Sequence, residues 1–581
     1  MNRSFRCFAR CTEITSYFNN VGAHIALMAS QICFMLYWIG IIVNYFVRPR
    51  IKGMLFMVSP INTAVMSLRL RAERSTRDHL IQTFVDLDPL LTLLLTEDHQ
   101  ILYGRRGTGK THALEYLANE VGNDSGLPVY MDMRTIGSSG GVYSDPGISL
   151  AERATRLLVD TLQAVHEQLL NAIMENSAGY DFSAIMPALD NYLDATAQVV
   201  VKGTVTKELS DQDRSTSVVG TSGELGVSAT PSMKLGGSFS DSYESQTGYK
   251  RSESGVERHR VHFGALYKCL KEVCKNLKGK RVWVILDEWS EVPLDLQPYL
   301  ADLLRRCLMT VSGITVKIGA IEQRTNFRIP DGAGSYIGVE VGADMTANTN
   351  LDDFMVFDND QARASDFFEN LIYKHLVSEL PEGFLSSNKP SRELLRNMFT
   401  QSSSAFGEFV RAAEGVPRDA INILIFAAQQ ALNNPISIPH IRGAAKKWFQ
   451  QGKEQALRDT RANLLLRWIV DEVIAHRQAK AFLLRSDQKY PLIEALFDAR
   501  VLHIVKKGVS SNETPGVRYD VYSIDYGCYV DLMNTVKAPK GLFEASEGEG
   551  EDGFVDVPAT DYRSIRRAIL DIEKFEEAHT S

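Results

Sequence analysis

Gly104-Arg105-Arg106-Gly107-Thr108-Gly109-Lys110-Thr111 is the stretch on which the fold turns. It fits G-x-x-x-x-G-K-[ST], in which glycines let successive backbone N–H groups turn inward around a phosphate at the positive end of the following helix. The flanks carry the context such a loop requires. QILYG at 100–104 is a short apolar run into a glycine turn, and THALEYLANEV at 111–121 sets Leu114, Leu117 and Val121 at helical spacing. Lys110 is then placed to reach the β- and γ-phosphates of a nucleotide, and the Thr111 hydroxyl to ligate Mg²⁺. The run from Gly104 through His112 is the candidate nucleotide cradle.

Working outward, RVWVILDE at 281–288 delivers Asp287 and Glu288 to the C-terminal edge of a strand, where open α/β sheets bind their ligands. Asp287 is expected to hold the water shell of Mg²⁺, and Glu288 to polarise the water that attacks the γ-phosphate. A bare acidic pair after a strand is often only a helix cap; the glycine loop tips this pair toward chemistry. ITVKIGAIEQ at 314–323 is a buried strand ending in Glu322, Gln323 and Arg324, and Gln323 is the candidate γ-phosphate sensor. Gly415-Val416-Pro417-Arg418 opens the helix DAINILIFAAQQAL. An arginine at a helix start opposes the macrodipole, so Arg418 should face an anion, either an ATP phosphate or a surface carboxylate. The candidate catalytic set is therefore Glu288, Lys110, Arg418 and Gln323, with Thr111 and Asp287 toward the metal.

Between these motifs, LPVYMDMR (127–134) reads as a strand, and 148–175, 261–278 and 294–308 read as helices. Strands alternating with helices predict an α/β fold with a parallel sheet. Residues 199–255 are rich in Ser, Thr and Gly, yet Val199, Val201 and Val205, then Leu225 and Val227, then Met233 and Leu235 alternate, which predicts inserted β-hairpins. Such hairpins could grip a protein partner or a neighbouring subunit, or only decorate the surface. Helical periodicity runs from 358 to 448. The unit at 461–536 reads as a winged helix: NLLLRWIVDEVIA, QAKAFLLR and YPLIEALFDAR as three helices, then strand, wing and strand through VLHIVKKG and VYSID. The expected organisation is 1–65 as an N-terminal segment, 66–345 as a P-loop core with an insert at about 138–260, 346–455 as a helical lid, 456–537 as the winged helix, and 538–581 as an acidic linker with a short helix at 561–577.

Composition sets the outer limits. A chain of 581 residues, 44% hydrophobic and 23% charged, excludes a wholly disordered protein, a collagen and a polytopic membrane protein. Its net charge of -8 gives no global basic field for nucleic acid. Seven cysteines with no CxxC pair exclude a disulfide scaffold and read as free thiols in a reducing compartment. The stretch from Ile25 to Val47 carries no charge and is long enough for a hydrocarbon core of ~30 Å. Two readings stand: a single-pass membrane anchor on a cytoplasmic body, or a translated upstream stretch ahead of a working start at Met54, Met57 or Met66.

GRRGTGKT, ILDE, a strand ending in EQR, and GVPR opening a helix together resemble the AAA+ ATPases, where they would be Walker A, Walker B, sensor 1 and the sensor 2 arginine of a lid. The terminal winged helix makes the origin-recognition branch the closest, and the resemblance covers roughly 75–536 apart from the insert. It implies Mg-ATP hydrolysis to ADP and phosphate driving a conformational switch, a nucleotide-dependent oligomer, and association with double-stranded DNA or loading of a partner. The alternative is a signalling or defence ATPase whose insert, winged helix or C-terminal helix binds proteins. The interval from Lys110 to Asp287 departs from the family by exceeding one βαβ unit. Arg324 and Arg328 stand where an arginine finger would, and the third winged-helix helix sets Glu494 and Asp498 against Arg500, so DNA and protein both remain open as its partner.

Overall fold

Val282–Asp287 is buried at every position, the pattern of a strand covered on both faces. In the computed structural model, residues 58–530 and 569–579 are described apart from internal gaps, the longest at 207–225 and 228–251. Gln100–Tyr103 (β1), Leu127–Asp132 (β2), Val282–Asp287 (β3), Ile314–Ala320 (β4) and Thr346–Asn350 (β5) form one sheet, ordered β5-β1-β4-β3-β2. Every pairing in it is parallel. β1 and β4 lie inside the sheet, so the loop that leaves β1 emerges beside the ends of β3 and β4.

Each face has its own core. On one, Leu114, Leu117 and Val121 of Lys110–Asn123 (α1) join Phe368, Phe409 and Leu424 of the lid helices. On the other, Leu157, Leu162 and Leu169 of the helix Leu150–Glu175, Leu189 and Tyr192 of Phe182–Thr196, and Leu266 and Leu270 of Phe263–Asn276 cover β2, β3 and β4. The first two of these helices, Leu150–Glu175 and Phe182–Thr196, fall in the early part of the long interval after Lys110. The expected insert therefore begins with a helical pair buried on the sheet, and only its later part is β. There Val199–Lys202 pairs antiparallel with Val256–His259, and Val205–Thr206 with Ser252–Glu253. Pairing thus joins the β segments before and after the longest gaps; the turn expected between Val227 and Met233 lies outside the described residues.

The lid runs through the helices Gln361–Leu376, Pro390–Met398, Ser402–Ala413, Pro417–Ala431 (α2) and Ile438–Trp448. The helix Pro60–Met66 packs on it, with Ile61, Ala64 and Val65 buried and the Asn62 amide donating to the Leu432 and Asn434 carbonyls at 2.7 and 3.0 Å. A boundary at 65/66 therefore cuts through a packed helix, because the apolar face of PINTAVM belongs to the lid core. The segment 25–47 lies outside the described residues. Among those described, no helix is long and apolar enough to cross a membrane.

The C-terminal unit carries a helix at Thr460–Ile469, a strand at Ala481–Arg485 (β6), a helix at Pro491–Asp498 (α3), and the strands Leu502–Ser510 (β7) and Arg518–Ile524 (β8). Its antiparallel sheet is ordered β6-β8-β7, the topology of a winged helix. QAKAFLLR, expected as the second helix, is the edge strand β6, with Phe482, Leu483 and Leu484 buried. A short apolar run fits either period, and pairing along β8 decides it. Of the helix expected at 561–577, the described part is helical over Ile572–His579; residues 561–568 are not among those described. It folds back on the same unit: the Leu570 N–H donates to the Leu483 carbonyl at 3.0 Å, and Phe575 is buried beside Trp468.

Candidate nucleotide site

The glycine loop adopts a shape that its residue types permit and others would not. Gly107 has φ of 92°, and a Cβ there would stand 2.8 Å from that of Arg418, so the loop meets the lid with no room to spare. The Arg418 N–H donates to the Gly107 carbonyl at 3.2 Å, which pins the start of α2 to the loop. Between them lies a cavity of about 340 Å³.

Lys110, Thr111, Arg106, Glu288 and Arg418 line one part of this cavity. Lys110 is buried, and its ammonium donates to the Gly104 and Arg105 carbonyls at 2.8 and 3.2 Å. Burial lowers its pKa, against the pull of Glu288 and Asp287. Asp287 is 1% exposed and accepts from the Tyr130 hydroxyl at 2.9 Å and from the Glu288 N–H at 2.8 Å. Gly319 of β4 makes the space, since a Cβ there would lie 2.9 Å from an Asp287 carboxylate oxygen. Glu288 holds φ at 54°, a left-handed backbone that costs energy for a residue with a side chain. Burial and then Asp287 raise its pKa, so this carboxylate is readier than most to exchange a proton.

The other part of the cavity is lined by His79, Leu80, Thr83, His112, His375 and Ile421. His112 donates Nε2–H to the Leu80 carbonyl at 2.5 Å, and His375 donates Nδ1–H to the Leu371 carbonyl at 2.9 Å. Burial lowers the pKa of both, His375 to about 4, so both rings are neutral at pH 7. A smaller adjoining void is walled by Phe84, Leu87 and Leu90. A charged end and an apolar, neutral end suit a ligand with phosphates at one side and a flat base at the other.

Of the residues singled out from the sequence, Arg106, Gly107, Gly109, Lys110, Thr111, His112, Glu288 and Arg418 line this one cavity. Asp287 stands behind Glu288, and Thr108 turns inward to donate its hydroxyl to the Arg105 carbonyl at 2.9 Å. Two expectations are corrected by position. The Arg105 side chain does not enter the cradle: its guanidinium pairs with Asp352 at 2.7 Å and lies 4.4 Å from the Phe497 ring of α3. Gln323 lies beside Ile321 and Arg324 on a separate cavity of about 730 Å³ at the junction with α3. The strand β4 ends before Gln323, and the short turn Glu322–Arg324 carries these side chains toward the winged helix. Accordingly Glu322 pairs with Lys507 at 2.6 Å and Arg324 with Asp498 at 2.5 Å, while Arg328 pairs with Glu340 at 2.9 Å. Sequence reasoning missed Tyr130, and also Arg134 and Arg69, which line the charged cavity. Tyr130 falls on the less buried phase of LPVYMDMR, alternate to Val129 and Met131, and only the β2–β3 register puts it beside Asp287.

A parallel sheet, a glycine loop between β1 and α1 and a helical lid beside that loop are the arrangement of a P-loop α/β fold. Residues 69–123 match the ORC-CDC6-like family model, and the chain is similar to the ORC-CDC6-like AAA+ proteins. Among solved structures it is similar to Cdc6p from Pyrobaculum aerophilum, with 13% identity, covering 82% of this chain and 96% of that one, at a TM-score of 0.28. It is also similar to a Walker-type ATPase of Pyrococcus abyssi (12% identity, 81% and 99% covered, TM-score 0.30). A third is the Orc1 protein of Aeropyrum pernix in complex with DNA (13% identity, 82% and 96% covered, TM-score 0.27). No curated protein sequence matches.

Proposed function

We propose that this protein binds Mg-ATP between the glycine loop and the lid, hydrolyses it, and uses the cycle to move its winged helix. The observation that carries the reading is the convergence of Lys110, Thr111, Glu288 and Arg418 on one cavity from three separate places in the chain. Lys110 and Arg418 supply positive charge for the β- and γ-phosphates, where charge grows as the bond to the leaving group lengthens. Glu288, with its raised pKa and cavity-facing position, holds and orients the attacking water. The Thr111 hydroxyl and the Asp287 carboxylate are hard oxygen donors that suit Mg²⁺, which keeps much of its shell as water and phosphate. Mg²⁺ would neutralise phosphate charge there. Steady-state ATP hydrolysis by the full chain, beside Lys110→Ala and Glu288→Gln, tests this. Parent activity that survives both changes would end the proposal.

The work done with that energy is DNA-associated in the leading reading. A specific observation favours the second one, docking to protein. In α3, the helix that would enter a DNA groove, Phe497 is buried under Arg105 and Asp498 is tied to Arg324, so it faces the ATPase core. A reader helix in this position must leave the core before it can touch DNA. Hydrolysis measured with and without double-stranded DNA separates the two: stimulation supports the first reading, indifference the second.

A further inference from the structure

Behind the cavity runs a buried chain of polar groups that joins the glycine loop, the lid and the winged helix. Its first member is Arg105. The Arg105 backbone N–H and guanidinium both bond Asp352, at 2.8 and 2.7 Å. The same guanidinium donates to the Leu502 carbonyl at 2.9 Å and to His503 Nδ1 at 3.1 Å, both in β7. Because Nδ1 accepts from Arg105, the neutral ring must carry its proton on Nε2, which donates to Asp525 at 3.2 Å. Asp525 also takes the ammonium of Lys453, and Lys453 reaches Asp419 at 2.8 Å. Arg500 closes the row on Asp419 at 3.2 Å. Three cations meet three carboxylates around one neutral imidazole, so the row is charge-balanced though almost wholly out of solvent.

It adjoins the cavity lining at two places in the chain. Asp419 follows Arg418 in the first turn of α2. Arg105 belongs to the loop itself, and its carbonyl accepts from Lys110 at 3.2 Å. The lysine that would meet phosphate is thus bonded to the residue that holds the winged helix.

Resting on the ATP-binding reading above, we propose that Arg105 and His503 form the latch through which the nucleotide site and the winged helix sense one another. A phosphate oxygen competes for the Lys110 ammonium, and when that ammonium leaves the Arg105 carbonyl the loop that aims the guanidinium at β7 relaxes. Nucleotide and docked winged helix therefore oppose each other. Coupling of this kind is reciprocal, so releasing the latch from the winged-helix side must tighten nucleotide binding, although no residue of the cavity has changed.

Two substitutions at one position test this in the full chain. His503→Gln keeps a donor toward Asp525 but loses the acceptor for Arg105; His503→Asn keeps the acceptor and loses the donor. With Mg²⁺ and a fluorescent ATP analogue as the probe, His503→Gln should bind roughly fivefold tighter than the parent, and His503→Asn should bind like it. A merely structural role would move both alike. A spin-label distance between Thr310 and Gln488, both exposed, gives the second readout. It should lengthen when Mg-ATP is added to the parent, and in His503→Gln it should be long with or without nucleotide. Equal affinities across parent and variants, or a parent distance that ignores Mg-ATP, would overturn the latch while leaving ATP binding intact. Failure of the parent to bind the analogue at all would overturn the ATP-binding reading, and the latch with it. The parent distance keeps the test open if either variant fails to fold.

Discussion

Glu288 and Asp419 are both carboxylates at the rim of the lid, and their surroundings take them in opposite directions. At Glu288, burial and then Asp287 favour the neutral acid, and the side chain faces a cavity. At Asp419, burial alone would do the same, but Arg500 and Lys453 outweigh it and hold the group well below the usual carboxylate range. One site keeps its charge unsettled and ready for a ligand. The other settles every charge inside the protein and so fixes geometry. Environment, not residue type, assigns the roles.

Breaking the reactive side should have the largest effect. Glu288→Gln is expected to lower kcat by about 10²–10⁴-fold while binding of the ATP analogue persists; loss of binding instead would make Glu288 a ligand-holding group. On the settled side, Lys453→Met leaves Asp419 and Asp525 buried with their shared cation gone. It should cost about 3–5 kcal/mol, read from the urea midpoint, and a stability near that of the parent would show that the ladder adds little. The latch should also respond to pH. A His503 ring exposed by undocking takes its proton near pH 6.5, whereas the docked ring, buried and facing Arg105 with Asp525 and Lys453 close by, resists until about pH 4. The undocked state therefore binds protons first, and docking should weaken steadily as pH falls from 6.5 toward 4. A 310–488 distance unchanged between pH 7 and pH 5 would contradict this. Smallest of all should be Arg324→Ala. Its pair with Asp498 is 44% exposed on the arginine side, and its loss is worth about 0–1 kcal/mol, fading further in high salt.

The parts legible in the sequence share a property: their chemistry is contiguous. GRRGTGKT encodes its own turn, helix start and lysine, and VWVILDE encodes a buried strand with acids at its end. What escaped was contact across long separations or a choice between equal periods. Nothing in LPVYMDMR states that Tyr130 reaches Asp287, because β2 and β3 are separated in sequence by three long helices. QAKAFLLR has too few residues to reveal its period, and the open edge of β8 made it a strand. Gln323 was placed by extending β4 past Ala320, where the chain turns away.

By itself, then, the sequence determined a phosphate-binding loop on an α/β sheet, the acidic strand end beside it and an arginine at the head of a lid helix, since each is set by neighbours in the chain and by the backbone geometry they allow. Tertiary structure alone decided where Arg105 points. Its motif position permits any side chain, so nothing local constrains it. Only the folding of α3 and β7 against the loop supplies the ring, carbonyl and imidazole that capture a buried guanidinium, and with it tie the site to the winged helix.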